Sequence, residues 1–113
     1  VTLVATGSEV ALATQAAWKL GERGVGARVV SMPSRELFAE QDAATRQAIL
    51  PPGLPVVAAE AGITAGWEAL TGRSDAILGI NRFGASAPGA VVAEKLGLTA
   101  EALVERALQV IGR

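Results

Sequence analysis

Val1-Thr2-Leu3-Val4-Ala5-Thr6-Gly7-Ser8-Glu9-Val10 decides the fold, because the apolar period changes inside it. Val1, Leu3, Val4 and Ala5 form a short β-prone run that stops at Thr6-Gly7-Ser8, and an unbroken apolar run ending in glycine suits a buried parallel strand. From Glu9 onward, Val10, Ala13, Ala17 and Leu20 are spaced for one face of a helix. Ser8 is available as its N-cap, Glu9 lies at the favourable end of the helix dipole, and Gly24 reads as the C-terminal stop. Strand, glycine turn and helix in that order open a parallel crossover unit.

The same alternation continues along the chain. Ala27 to Met32 is a second apolar strand, and Pro33 forces an extended exit from it. Leu37, Phe38, Ala44, Ala48 and Ile49 predict a short helix and then another one capped by Asp42, ended by Pro51-Pro52-Gly53. Leu54 to Ala59 is a third strand, closed by Glu60-Ala61-Gly62, and Gly66 to Leu70 a short helix. Ala76 to Ile80 is a fourth strand. Pro88 suits the first turn of a helix running to Lys95. Thr99 caps a last amphipathic helix with Leu103, Ala107, Leu108 and Ile111 on one face and Glu101, Glu105 and Arg106 toward water. Strands separated by helices predict a three-layer α/β/α domain with a mostly parallel sheet. No repeat or linker interrupts it, so residues 1–113 read as one domain. Because the sequence opens on Val1 within a strand, the segment is expected to have been cut from a longer chain.

Composition narrows the chemistry. The 113 residues include no His, no Cys and no Tyr, which removes every nucleophile system built on imidazole or thiol and the usual zinc ligands. A formal net charge of −1 with dispersed Arg and Lys leaves no basic block for phosphodiesters, so no nucleic-acid partner is expected. Apolar residues make up half the chain, yet no apolar run approaches the ~20 residues a bilayer requires. Neither a membrane association nor a signal peptide is expected. Absence of cysteine agrees with a reducing, cytoplasmic compartment.

In an open parallel sheet, ligands favour the carboxyl ends of the strands where strand order reverses. With the first strand central, that crevice is outlined by Gly7, Ser8, Glu60 and Gly62, and the amides of Gly7, Ser8 and Glu9 are positioned to meet an anion. The segment matches neither G-x-G-x-x-G nor G-x-x-x-x-G-K-[ST], and Glu9 adds negative charge where an anion would sit. Gly7-Ser8 therefore reads foremost as a tight turn with a serine cap. Glu60 has the composition of a general base, or of a carboxylate held by amides or an arginine such as Arg82; the structural role is favoured. Trp18 and Trp67 read as core or subunit-interface aromatics, and Glu36 and Glu40 as a solvated face.

Taken together, several segments resemble one family. Ala5-Thr6-Gly7-Ser8-Glu9-Val10, Arg28-Val29-Val30-Ser31-Met32-Pro33-Ser34 with Phe38, Gln41 and Asp42, and Leu50-Pro51 are similar to the C-terminal domain of transketolases. Glu60-Ala61-Gly62, Gly66-Trp67, Phe83-Gly84-Ala85-Ser86-Ala87-Pro88 and Gly97-Leu98-Thr99 extend the likeness over nearly the whole chain. Ala-Thr-Gly-Ser-Glu also recurs in deoxyxylulose-phosphate synthase and the pyruvate dehydrogenase beta subunit. Ser31-Met32-Pro33-Ser34 is the more discriminating stretch.

The resemblance implies a thiamine diphosphate enzyme, with magnesium, that moves two-carbon ketol units between sugar phosphates. It also implies a homodimer whose cofactor and substrates are held by the preceding domains of the parent chain. No catalytic, cofactor or metal residue is carried over to these residues; the segment is expected to support structure and dimerisation and to be inactive alone. The resemblance further implies four parallel strands in spatial order second, first, third, fourth, without the antiparallel edge strand that precedes them in the family. Ala27 to Met32 is then an uncovered edge. Two alternatives stay open: an independent small-molecule or anion-binding module, and the same domain of a related thiamine diphosphate enzyme.

Overall fold

In the computed structural model, which describes residues 1–7, 9–60, 67–72, 74–79 and 98–112, the opening run becomes strand β1 (Thr2–Ala5) at the centre of the sheet. Helix α1 (Glu9–Glu22) leads to β2 (Arg28–Ser31), and two short helices, α2 (Arg35–Glu40) and α3 (Ala43–Ile49), lead to β3 (Val56–Glu60). Then come α4 (Glu68–Thr71), a 3-10 turn (Ser74–Ala76), β4 (Ile77–Gly79) and α5 (Ala100–Val110). The strands lie in the order β2-β1-β3-β4, every neighbouring pair parallel, as expected. The register pairs Thr2 with Arg28 and Val56, and Ala5 with Ser31 and Ala59. β1, β2 and β3 therefore reach one rim together. Among the described residues β2 pairs with β1 alone, so it is an edge of the sheet.

Strand alternation divides the core in two. Leu3, Ala5, Val57, Ala59 and Leu78 face Ala13, Ala16 and Leu20 of α1 and Leu103, Val104, Ala107 and Leu108 of α5. Fully burying leucines such as Leu20 and Leu103 contributes roughly 1.5–3 kcal/mol each. The helical face of α1 centres on Ala16 rather than on Ala17, which is only half-buried, because the sheet contact runs through positions 13, 16 and 20. α1 then closes as foreseen at Gly24, whose φ of 78° lets its amide reach the Gly21 carbonyl at 3.0 Å while Val25 bonds to Leu20 at 2.9 Å. Salt bridges Lys19–Glu101 and Arg23–Glu105, each 3.4 Å, tie the exposed flanks of α1 and α5.

On the opposite side Val4, Met32, Val56, Ala58 and Ile77 pack with Trp67, and Phe38, Ile49, Leu50 and Leu70 are half-buried against them. Neither α2, α3 nor α4 buries a single residue completely. Leu37, Ala44 and Ala48, read from spacing as helix-forming apolar positions, are exposed, Leu37 by 60%. Side-chain caps define both short helices: the Ser34 hydroxyl accepts from the Leu37 amide at 3.1 Å, and the Asp42 carboxylate from the Thr45 amide at 2.7 Å. The two tryptophans part company. Trp67 is core, 1% exposed and 5.0 Å beneath the Arg35 guanidinium, whereas Trp18 is 73% exposed on α1 and belongs to no core.

Strand ends differ from expectation by a residue or two. Leu54 stays in the turn after Pro51-Pro52-Gly53, and β3 begins past Pro55, which has no amide hydrogen and serves the sheet through its carbonyl, 2.8 Å from the Thr2 amide. Ala76 belongs to the 3-10 turn ahead of β4. The helix expected from Pro88 to Lys95, Ile80 and Arg82 lie outside the described residues. Among those described, no helix is long and apolar enough to cross a membrane.

Candidate functional site

The carboxyl ends of β1 and β3 meet where strand order reverses, β2 lying to one side of β1 and β3 to the other. The register that sets Ala5 beside Ala59 brings the following residues, Thr6 and Glu60, face to face. The Thr6 hydroxyl donates to Glu60 Oε2 at 3.2 Å in a part-buried setting. Gly7 follows with φ of 52°, a conformation open to glycine, and turns the chain from strand to helix. The turn is closed by the Glu9 amide on the Thr6 carbonyl at 3.0 Å and the Val10 amide on the Gly7 carbonyl at 3.3 Å.

Of the four residues that outline the crevice in the sequence, the structure describes Gly7 and Glu60; Ser8 and Gly62 lie outside the described residues. Thr6 is the addition. Its signal was available in the sequence, since it stands directly after β1 as Glu60 stands at the end of β3, but only the register makes that equivalence visible. The contact ties the central strand to its neighbour at the rim. The Glu60 carboxylate, engaged by a hydroxyl, serves the rim as an acceptor.

This donor set does not fit a magnesium-bound diphosphate. Such a group takes several oxygen ligands around the metal and amides or cations around the phosphates. The Glu60 carboxylate at the described rim is bonded to Thr6, and no group of three His, Cys, Asp or Glu side chains able to hold a metal stands together among the described residues. Glu9, in the first turn of α1, adds a second negative charge near the same mouth and disfavours an anion.

A parallel sheet of order β2-β1-β3-β4 covered by helices on both faces, with its switch point closed by a threonine–glutamate bond, defines a three-layer α/β domain. The family model described as "Transketolase-like TK C-terminal domain" matches residues 1–99, and the chain belongs to that family. It is 52% identical over 99 residues to the "Transketolase, plasmid" of Cupriavidus necator, a match that covers 88% of this chain and 15% of that protein. The solved structure "Transketolase from Leishmania mexicana" superposes with a TM-score of 0.88 at 44% identity, covering 99% of this chain and 16% of that one. A more distant likeness, TM-score 0.68 and 27% identity, is to a chain described as "Split gene transketolase, inactive beta4 tetramer", of which this chain covers 39%. The chain thus spans about a sixth of the length of the full-length relatives it matches.

Proposed function

We propose that residues 1–113 form the C-terminal domain of a transketolase: a supporting, dimer-stabilising domain of a cytoplasmic enzyme that transfers two-carbon ketol units between sugar phosphates. The observation that carries this reading is the family match over residues 1–99 together with 52% identity to a transketolase six times longer. Thiamine diphosphate and magnesium belong to the parent enzyme and are held by domains that precede this one. Neither Gly7 and Glu60 at the rim of the sheet nor Ser8 and Gly62, named with them from the sequence, take part in the reaction. Two facts support that assignment. The Thr6 hydroxyl donates to Glu60, and a related chain that this one matches over 98% of its length is described as an "inactive beta4 tetramer".

Coupled turnover tests the reading directly. The 113-residue chain, given thiamine diphosphate, magnesium, xylulose 5-phosphate and ribose 5-phosphate, transfers no ketol unit, whereas the longer chain that carries it does. Turnover by the short chain alone, or inactivity of the long one with these sugars, overturns the proposal.

A further inference from the structure

We draw no further inference here: the strongest candidate, the apolar surface patch on α1 where the exposed Trp18 stands beside Ala17 and Gly21, is an unpartnered helix face, and nothing in the structure shows what covers it.

Discussion

On one side of the sheet Leu3, Ala5, Val57, Ala59 and Leu78 meet two helices that seat Ala13, Ala16, Leu20, Leu103, Val104, Ala107 and Leu108 out of water. On the other, Val4, Val56, Ala58 and Ile77 meet three helices of four to seven residues that bury nothing completely and leave Leu37 and Ile49, Leu50 and Leu70 between half-buried and open. Strand chemistry is the same on both faces, so the difference lies in the cover. α1 and α5 are long enough to lay several turns on the sheet. α2, α3 and α4 give between one and two turns each, and their stability rests on caps and on a few anchors, chiefly Trp67.

The sharpest test of that contrast is a pair of truncations. Leu103→Ala, at a position with no exposure, is expected to cost about 3–4 kcal/mol, while Leu70→Ala, half-buried on the other face, costs about 1 kcal/mol, both read from urea midpoints at constant slope. Equal losses would break the comparison. Next in size is Thr99→Ala. The Thr99 hydroxyl accepts from the Ala102 amide at 3.1 Å at the start of α5, and its loss is expected to cost about 1 kcal/mol by the same measurement.

Thr2→Val works in the opposite direction. Thr2 is buried on the thinly covered face beside Val4, and its hydroxyl has no partner among the described residues. Replacing it with an isosteric methyl is expected to stabilise by about 0.5–1 kcal/mol in thermal unfolding; a loss would show that the hydroxyl is satisfied by something bound there.

The smallest effect is with pH. Asp42 is held below its ordinary value by the Thr45 amide, Glu36 by its own backbone amide and the Ser34 hydroxyl, and Glu101 by its own amide and Lys19. A lowered carboxylate stabilises the fold above its ordinary pKa, 3.8 for Asp42 and 4.5 for the two glutamates, and the contribution is lost as pH falls through the folded value. The thermal midpoint should therefore decline from about pH 4.5 downward, and Asp42→Asn, which keeps the cap, should flatten part of that decline. With no histidine to titrate, little change is expected between about pH 6 and 7. A second decline in that window would contradict this account.

Legibility in the sequence followed the same division. α1 and α5 could be read almost residue by residue because each has enough turns for an apolar period to stand out, and Asp42 and Thr99 announced their caps by residue type, whereas the Ser34 cap was not read. The order of the strands came through the family resemblance, since periodicity gives strands but no neighbours. Where elements were short, spacing misled: Leu37, Ala44 and Ala48 have helical spacing but face water, as a helix of six or seven residues turns too few side chains toward the sheet. Gly7 and Glu60 were legible as a strand-end pair. Their joint role was not, because the bond that closes the rim belongs to Thr6, a residue without a distinguishing motif.

The place of β1 has a consequence for how such a chain acquires its shape during synthesis. Of the four described strands β1 is made first, yet it lies in the middle, between partners that begin at Arg28 and Val56. Until β2 has emerged, Leu3 and Val4 lack both of their described ladder partners, and α1 is the one described element between β1 and β2. Order then arrives late and together, when β3 supplies the second edge that β1 has been waiting for, a sequence of events that slows folding relative to a helical bundle of equal length.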